Sequence, residues 1–572
     1  MSTLESENGK TEEQENSGSR STSGIEADEK VADLPLSLKM DRYFSKPHFR
    51  KILDAVTIIF FILVIIGPIV NIFSTIFLNI PSISEKVFND ELMGDLQWQI
   101  ILDGLLNSFL IAATAVIFDI IVAFPTAMIL TRYKFRGQRL LDALMDLPMS
   151  VPTSALGFSL MLFWGLFGVE PGMTLIIFAH IVFTFPYIVR NMKIVLEKAD
   201  TLYEDAAKTL GASGFTVFRT ITLPMMKEGL IAGSILAFTR SLGETGATII
   251  VSGLTNTAPI IIVGYRRQLE IPSASFLAGI LILISLVLLF SIKLFSRKVG
   301  FPAKRVYPKL ESFLSSDSLR HTRDAVTMVI IVVMVIVPSL FIFSQLSIDG
   351  LATGLLGPDK KWAYLYVSFL NSLKIGALAV VINLIFGIPF ALIITKRKWG
   401  RVITFLDTIL DIPIAIPSAA LGFAVFMFWG PAGLDLFYPG FFMILFVHVT
   451  FTFPYMVRPI IGVLENSNIG VEEAARTLGA SNITVFRKIT FPSIKQGVIA
   501  GSIMVFTRSM GETGATIVVM GSIRTIPVLI VDWVEANAFP SAIFASVIVI
   551  VFSAILLILL RYVRKRGGST YA

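Results

Sequence analysis

Two copies of a charged pair interrupt the long apolar runs of this sequence. Arg240 and Glu244 form the first pair, and Arg508 and Glu512 form the second. Residues four apart on a helix lie on one face and can form an ion pair. A charged side chain inside a bilayer costs about 2.5–3.5 kcal/mol on insertion scales. Each pair is therefore expected either to neutralise itself or to face a wet pathway, and both can hold in different conformations.

Threonines follow each charged pair and would add hydroxyl groups to such a pathway. The residues assigned to a candidate translocation pathway or gate are Arg240, Glu244, Thr245, Thr248, Arg508, Glu512, Thr513 and Thr516. Neither catalytic residues nor metal ligands are assigned. The sequence has no Cys, and it has no Gly-x4-Gly-Lys-[Ser/Thr] phosphate-binding loop.

Two histidines occupy matching places in the predicted fourth spans, at His180 and His448. A proton relay is one interpretation. Helix-packing histidines that are hydrogen-bonded to a neighbour are the favoured one.

Carboxylates four residues apart recur near the cytoplasmic ends of the predicted third spans, as Asp142 with Asp146 and as Asp407 with Asp411. Such pairs can act as acid and base. Since Arg139 and Arg401 stand nearby, ion pairing with these arginines is the favoured interpretation.

The composition places the chain in a membrane. Its 572 residues are 54% hydrophobic and 16% charged, whereas a soluble domain is about a quarter charged. Apolar runs of about 20 residues recur, which is the length that an α-helix needs to cross a bilayer. The net charge of +7 does not indicate nucleic acid, because the basic residues lie in short loops between these runs. We therefore expect an all-α integral membrane protein in contact with the lipid bilayer.

Twelve spans are predicted, and the distribution of Lys and Arg orients them. The ranges are 52–74, 100–130, 139–165, 173–192, 227–252, 273–296, 325–345, 366–395, 402–429, 440–463, 495–520 and 541–561. With the N-terminus inside, the outer loops hold only Lys86, Arg266, Arg267, Lys360, Lys361 and Arg524. Because basic residues collect in cytoplasmic loops, both termini are predicted in the cytoplasm and the protein in the plasma or inner membrane.

Motifs of the first half recur in the same order in the second. Phe-Thr-Phe-Pro-Tyr stands at 183–187 and at 451–455, and Gly-Glu-Thr-Gly-Ala-Thr at 243–248 and at 511–516. An even number of spans per half gives a parallel repeat with a pseudo-two-fold axis along the membrane normal. The predicted units are a disordered cytoplasmic tail at 1–47, a first half at 48–297 with its core at 103–295, a cytoplasmic linker at 298–322, a second half at 323–566 with its core at 367–560, and a cytoplasmic tail at 567–572.

The most exactly repeated polar stretch lies in the cytoplasm, between the fourth and fifth spans of each half. Both copies, 204–213 and 472–481, contain Ala-Ala-[Lys/Arg]-Thr-Leu-Gly-Ala-Ser. Gly211 can end a helix in the left-handed conformation, Ser213 can cap a second short helix through Phe218, and Pro224 is predicted to stop that helix. The corresponding residues of the second copy are Gly479, Ser481, Phe486 and Pro492. The result would be a helix–turn–helix elbow that another protein can approach closely.

This stretch resembles the E-A-A-x3-G-x9-I-x-L-P loop of ATP-binding cassette importer permeases with the type I fold. The matching residues are Ala206, Ala207, Gly211, Ile221, Leu223 and Pro224 in the first copy, and Glu473, Ala474, Ala475, Gly479, Ile489 and Pro492 in the second. Asp205 replaces the motif Glu in the first copy, where Glu204 beside it can compensate, and Phe491 replaces Leu in the second. The resemblance extends over nearly the whole chain after the tail.

The resemblance implies two six-helix permease halves fused in one chain. It further implies that the elbows couple the spans to two copies of an ATPase subunit, which bind ATP and Mg, so that this chain is no enzyme and carries no cofactor. An extracytoplasmic substrate-binding protein would be the other partner. The predicted coupling residues are Glu204, Asp205, Ala206, Ala207, Gly211, Glu472, Glu473, Ala474, Ala475 and Gly479.

The substrate has two alternatives within this resemblance. The segments at 243–248 and 511–516 look most like those of permeases for tetrahedral oxyanions such as molybdate, tungstate or sulfate. Fusion of two halves is more familiar from thiamine and ferric-iron permeases, and the oxyanion is ranked first. A rival from another class is an ion- or proton-coupled secondary transporter that uses Glu244, Glu512 and the histidines. The duplicated cytoplasmic elbow favours the importer.

Overall fold

The computed structural model describes residues 47–89, 94–295, 308–467 and 469–568, and the regular elements in these ranges are all helices. This confirms the all-α prediction. The predicted tail at 1–46, the first part of the linker at 298–307 and the last residues at 569–572 lie outside the described ranges.

The helices of the first half follow one another in the order of its predicted spans, with short helices between them. They are α1 His48–Leu78, α2 Leu96–Arg132, α3 Gln138–Met149, α4 Thr153–Gly165, α5 Met173–Lys198, α6 Leu202–Thr209, α7 Gly214–Leu242, α8 Gly246–Val251, α9 Ala258–Arg267 and α10 Ile271–Ser291. Helix α11, Pro308–Leu314, belongs to the linker between the halves.

The second half repeats this order helix for helix. Its helices are α12 Asp317–Gln345, α13 Lys361–Lys396, α14 Arg401–Ala415, α15 Ser418–Trp429, α16 Phe441–Glu465, α17 Ile469–Thr477, α18 Asn482–Gly511, α19 Gly514–Val519, α20 Ile526–Glu535 and α21 Phe539–Leu559.

The described residues contain 10 helices that are long and apolar enough to cross a membrane, or up to 12 if each bent pair is one span. The bent pairs are α3 with α4, at 107°, and α14 with α15, at 110°. The third spans predicted at 139–165 and 402–429 are therefore bent helix pairs, and the predicted total of twelve spans holds if each pair is one span. At each bend a residue before proline leaves the helical region, with ψ 140° at Val151 and 137° at Ile416, because a following proline disfavours that region.

The fifth spans also differ from prediction at both ends. Pro224 does not stop the preceding short helix, since α7 runs without interruption from Gly214 to Leu242. A π-helical turn at Phe218–Thr222 precedes this proline, and the Leu223 N–H donates to the Phe218 carbonyl five residues back. We infer that this wider turn relieves the clash that a proline ring makes inside a regular α-helix. The predicted spans at 227–252 and 495–520 instead break near Gly243 and Gly511.

The first helix of each half packs on the other half. Helix α1 contacts α13, α15 and α16, and helix α12 contacts α2 and α4. The Phe60 and Phe386 rings stack with centroids 3.7 Å apart, and Thr450 Oγ1 donates to the Val64 carbonyl at 2.9 Å. On the opposite side Ser159 Oγ donates to the Pro338 carbonyl at 2.7 Å. The two halves are thus interlocked by an exchange of their first helices.

Candidate functional site

Each fifth span breaks where the two halves meet, and a glutamate organises the break. Glu244 Oε1 accepts a hydrogen bond from the Ala247 N–H at 3.2 Å, and Glu512 Oε1 accepts one from Ala515 at 3.0 Å. The first N–H groups of a helix have no partner within that helix. These carboxylates therefore satisfy the start of α8 and α19, a role that the sequence pattern did not indicate.

The two breaks touch each other across the pseudo-two-fold axis. A Cβ atom built on Gly246 would lie 2.8 Å from Thr513 Cβ, and one on Gly514 would lie 2.6 Å from Thr245 Cβ. Only a residue without a Cβ atom allows so close an approach. The repeated Gly-Glu-Thr-Gly motif thus brings the two halves into direct contact.

The bends of the third spans complete this region. A Cβ atom on Gly243 would lie 2.8 Å from Pro417 Cα, and one on Gly511 would lie 3.4 Å from Pro152 Cα. Each break therefore faces the bend of the other half. We call residues 243–246 and 511–514, with Pro152 and Pro417, the central junction.

The two arginines before the breaks have different partners. Arg240 forms the predicted ion pair with Glu244, with 2.5 Å between Nη2 and Oε2. The second predicted pair does not form. Arg508 makes no ion pair within 4.0 Å among the described residues, and its guanidinium carbon lies 5.2 Å from the Phe451 ring centroid and 5.5 Å from that of Tyr455. The pseudo-symmetry of the sequence is therefore broken in side-chain contacts.

A small cavity beside the central junction collects side chains from both halves. Its lining residues are Tyr187, Leu236, Thr239, Arg240 and Gly243 from the first half, and Ile414, Ile416, Ser418, Phe451, Tyr455 and Arg508 from the second. Of the predicted pathway residues, only the two arginines line it. Two guanidinium groups line this cavity, and both carboxylates of the central junction, Glu244 and Glu512, lie near enough to interact with them electrostatically.

The other predicted pathway residues lie at the contact between halves or face inward. Thr245 and Thr513 form the contact between the two breaks. Thr248 Oγ1 donates to the Glu244 carbonyl at 3.0 Å, and Thr516 Oγ1 donates to that of Glu512 at 3.1 Å. These four threonines are buried, and the Thr513 hydroxyl has no hydrogen-bond partner among the described residues.

Each histidine bridges a break. His180 Nδ1 lies 2.6 Å from Ser241 Oγ before the break, and its Nε2 lies 3.1 Å from Thr248 Oγ1 after it. His448 makes the same contacts with Ser509 at 2.6 Å and Thr516 at 2.9 Å. This geometry agrees with the favoured interpretation of hydrogen-bonded packing histidines.

The paired aspartates bind arginines other than those predicted. Arg190 lies 3.1 Å from Asp142 and 2.5 Å from Asp146, and Arg458 lies 2.6 Å from both Asp407 and Asp411. Arg139 and Arg401, the neighbours in sequence, are therefore not the partners shown. Arg190 and Arg458 lie on the fourth spans, and only the packing of α3 on α5 and of α14 on α16 brings them near.

Asp119 is a buried carboxyl group that sequence reasoning missed. Its Oδ2 accepts a hydrogen bond from Thr184 Oγ1 at 2.6 Å, and Oδ1 has no hydrogen-bond partner among the described residues. In the second half Asn383 Nδ2 donates to Thr452 Oγ1 at 2.8 Å. Comparison of the two halves could have found it, because Asp119 on α2 occupies the position that Asn383 occupies on α13.

The cytoplasmic elbows have the predicted backbone. Gly211 and Gly479 end the first helix with φ of 86° and 85°, in the left-handed region. Ser213 and Ser481 accept hydrogen bonds from the N–H groups of Thr216 and Thr484, both at 3.2 Å. The turn and the cap are confirmed in both copies. In each copy the second helix of the elbow forms the first part of the long helix, α7 or α18.

The first acidic residue of each elbow faces its own chain. The buried Glu204 accepts hydrogen bonds from Arg132 at 2.9 Å and Thr222 at 3.1 Å. It therefore cannot present its carboxylate to a partner in place of Asp205. Equivalent Glu472 accepts from Lys396 Nζ at 2.5 Å and Thr490 Oγ1 at 2.7 Å.

The environment of Glu472 decides its protonation. Burial alone would raise the pKa of this carboxyl group, but the hydrogen bond from Lys396 and the positive charge of that residue outweigh burial and hold the pKa below its ordinary value of 4.5. Glu472 is therefore a charged anchor that ties the elbow to the end of α13.

The outer face of each elbow is exposed and apolar at its tip. Leu210 is 89% and Leu478 is 88% exposed. Next to them Asp205 and Ala206 are exposed, as are their counterparts Glu473 and Ala474, whereas Ala207 and Ala475 are half-buried. A bare leucine beside small residues forms a surface on which another protein can pack closely.

The comparisons with known proteins match both halves separately. The family model described as "Binding-protein-dependent transport system inner membrane component" matches residues 120–301 and again residues 387–567. Each match contains one elbow and one break of the central junction. The repeat recognised in the sequence is therefore a repeat of one known family unit.

Curated relatives carry names of permeases for two oxyanions. The sulfate transport system permease protein CysT of Salmonella typhimurium is 38% identical over 209 residues, which cover 34% of this chain and 76% of the relative. The molybdenum transport system permease protein ModB of Escherichia coli is 36% identical over 185 residues, 29% of this chain and 79% of the relative. A probable sulfate transport system permease protein of Chlorokybus atmophyticus is 31% identical over 225 residues, with shares of 36% and 78%.

Proposed function

Because the chain belongs to the family of binding-protein-dependent transport system inner membrane components and contains two copies of its unit, we propose that it is the complete membrane pathway of an ATP-driven importer. Two copies of an ATPase subunit would bind the two elbows from the cytoplasm. A substrate-binding protein would deliver the solute from the other side of the membrane. Both termini would lie in the cytoplasm, as the distribution of Lys and Arg indicates.

The observation that carries this proposal is the connection between each elbow and the central junction. Helix α7 begins at the turn of the first elbow, at Gly214, and ends at Leu242, where the junction begins. Its 29 residues span roughly 40 Å at about 1.5 Å per residue. Hydrogen bonds from Thr222 and Thr490 to Glu204 and Glu472 brace each elbow against the base of its long helix. Movement of an elbow would thus move one side of the junction.

Transport follows from this connection in two steps. Closure of the ATPase dimer on nucleotide would bring the elbows together and rock α7 against α18. The contacts of Gly246 with Thr513 and of Gly514 with Thr245 would then separate and open the pathway, and hydrolysis would restore them. In this proposal the exposed positions 205–206 and 473–474 would face the ATPase, whereas Glu204 and Glu472 would act as internal anchors of the elbows.

The solute that we propose is a tetrahedral oxyanion of the sulfate or molybdate kind. The names of the relatives support this choice. So does the cavity, where Arg508 has no carboxylate partner among the described residues and lies opposite the ion-paired Arg240. A guanidinium group offers several N–H donors in a planar fork that suits a multi-oxygen anion.

The test is uptake into proteoliposomes that contain the full chain with the ATPase encoded beside it and the cognate binding protein. We expect ATP-dependent accumulation of radiolabelled sulfate or molybdate, and no accumulation when the ATPase is omitted. Thiamine and ferric iron are tested in parallel. Uptake of either in place of the oxyanions would overturn the substrate while leaving the importer standing.

An ion or proton gradient provides the contrasting condition. If an imposed gradient drives uptake without ATP and an ionophore abolishes that uptake, the protein is a secondary transporter and not an ATP-driven importer. Uptake that persists with the ionophore and requires ATP supports the proposal.

A further inference from the structure

The linker helix α11 is fastened to the first elbow by buried polar contacts. Glu311, which is only 2% exposed, accepts a hydrogen bond from Arg219 Nη2 at 2.9 Å and another from Thr216 Oγ1. Ser315 Oγ accepts a hydrogen bond from the Phe215 N–H at 2.8 Å and lies 3.0 Å from Ser213 Oγ. In the first elbow, the start of the second helix is thus held by a segment that precedes the exchanged helix α12.

A groove lies beside the second elbow. Its volume is about 330 Å³, and the elbow contributes Asn482, Ile483 and Phe486 to its wall. Phe49 and Arg50, at the start of α1, line the same groove. The chain that precedes residue 47 therefore enters the described structure at this groove.

The sequence before α1 matches the sequence of α11 in register. The displacement that takes Asp54 to Asp324 also takes residues 39–45, Lys-Met-Asp-Arg-Tyr-Phe-Ser, to residues 309–315, Lys-Leu-Glu-Ser-Phe-Leu-Ser. Asp41 thereby matches Glu311, and Ser45 matches Ser315. The two residues that hold α11 to the first elbow thus both have counterparts.

We propose that residues 39–45 dock on the second elbow, at the edge of this groove where Ile483 lies, as α11 docks on the first. Asp41 accepts hydrogen bonds from Arg487 and Thr484, the counterparts of Arg219 and Thr216. Ser45 accepts one from the Ile483 N–H, as Ser315 does from Phe215.

The exchange of first helices supports this pairing independently. Helix α12 packs on the first half, and the segment before it holds the first elbow. Helix α1 packs on the second half, and its residues Phe49 and Arg50 line the groove of the second elbow. Each elbow is then held by the segment that precedes the exchanged helix packed on the same half. The transport proposal does not require this contact.

Cysteine cross-linking tests the docking, because the full-length chain has no native Cys. The positive control is the pair Ser213→Cys and Ser315→Cys, whose Oγ atoms lie 3.0 Å apart. The test pair is Ser45→Cys with Ser481→Cys, and the register control is Ser37→Cys with Ser481→Cys. Disulfide-linked peptides are quantified by mass spectrometry after mild oxidation of the purified protein. We expect the test pair to cross-link like the positive control and the register control to cross-link weakly.

Exchanging the charges of Asp41 and Arg487 distinguishes docking from chance collision. Asp41→Lys is expected to lower cross-linking of the test pair about tenfold, as loss of a charge-assisted hydrogen bond would, and added Arg487→Glu is expected to restore it. Glu311→Lys provides the matched loss at the first elbow. The proposal is overturned if the positive control cross-links while the test pair stays at the level of the register control, or if Asp41→Lys changes nothing. Size-exclusion profiles show that each variant remains folded.

Discussion

A Cβ atom on Gly514 would lie 2.6 Å from the Cβ atom of Thr245 in the other half of the molecule. The reciprocal distance, from a Cβ atom on Gly246 to the Cβ atom of Thr513, is 2.8 Å. Two glycines therefore allow the halves to meet where both fifth spans break. A transporter that opens between its halves must separate these contacts, and the closed form requires that nothing occupies the space between them.

Gly514→Ala tests this closed contact. We expect the added methyl group to force the two breaks apart, lower stability by about 1–3 kcal/mol as overpacking does, and impair uptake. Thermal unfolding in detergent and uptake in proteoliposomes measure the two effects. Gly264→Ala is the matched control, because a Cβ atom there meets nothing within 4 Å. Equal behaviour of the two variants would argue against a tight junction.

The two arginines of the cavity should respond differently to removal. Arg240→Ala leaves Glu244 buried without its cationic partner, and loss of one member of a buried pair costs about 3–5 kcal/mol. Arg508→Ala breaks no ion pair among the described residues, so it should spare stability more while reducing anion uptake. The measurements are thermal unfolding and the concentration dependence of uptake. Arg508→Ala with unchanged uptake would remove this residue from the pathway.

Gly479→Asp should uncouple the second elbow. The glycine is exposed at φ 85°, and a side chain there costs roughly 1–2 kcal/mol and puts a charge on the surface proposed for the ATPase. We expect ATP-dependent uptake to be abolished while membrane insertion stays normal. Gly137→Asp, at another exposed glycine in the left-handed region, with φ 91° and open space around it, is the control and should retain uptake. Normal uptake by the Gly479 variant would count heavily against a coupling role for this elbow.

The second elbow should loosen in acid through Glu472. A carboxyl group whose pKa is lower in the folded than in the unfolded protein stabilises the fold above the unfolded pKa, and this contribution is lost as the pH falls through the folded pKa. The pKa of Glu472 lies below its ordinary value of 4.5 in the folded chain. Hydrogen-exchange protection of residues 469–490, corrected for intrinsic rates, should therefore fall as the pH drops below that value.

Glu472→Gln provides the control for this acid effect. Its amide oxygen can still accept a hydrogen bond but carries no charge, so protection should be weaker at neutral pH and change less with acid. If both proteins lose protection at the same pH, another group controls the elbow.

Asp119→Asn should be tolerated because the second half already contains that arrangement. Asn383 hydrogen-bonds Thr452 where Asp119 hydrogen-bonds Thr184. Each side chain leaves one oxygen without a hydrogen-bond partner among the described residues, but an amide avoids the cost of burying a group that can ionise. Thermal stability and uptake should be retained or improved. Asp119→Leu, which removes the hydrogen bond as well, is the comparison. A severe loss in the Asn variant would show that the carboxyl group itself is needed.

Features that depend on near neighbours in sequence were predicted correctly. The turn at Gly211 and the cap at Ser213 each involve residues at most three apart or a single backbone conformation. The bends at Pro152 and Pro417 are also local, since a proline restricts the residue before it. Pro152 and Pro417 were therefore sufficient to predict the bends from the sequence.

Features that depend on contacts between distant residues were not predictable in this way. The family resemblance placed Glu204 among the coupling residues, but Arg132, 72 positions away, draws its carboxylate inward. The aspartates near Arg139 bind Arg190 instead, because α5 packs against them.

The sequence by itself determined the membrane class, the two parallel halves and the duplicated elbow, because apolar run length and repeated motifs are properties of the chain alone. Only the tertiary structure decided that the first helices exchange halves, that the breaks at Gly246 and Gly514 meet, and that Arg240 pairs with Glu244 while Arg508 does not pair with Glu512. Near-identical segments have the same local preferences. Their side chains nonetheless take different partners, because each is surrounded by different residues of the other half.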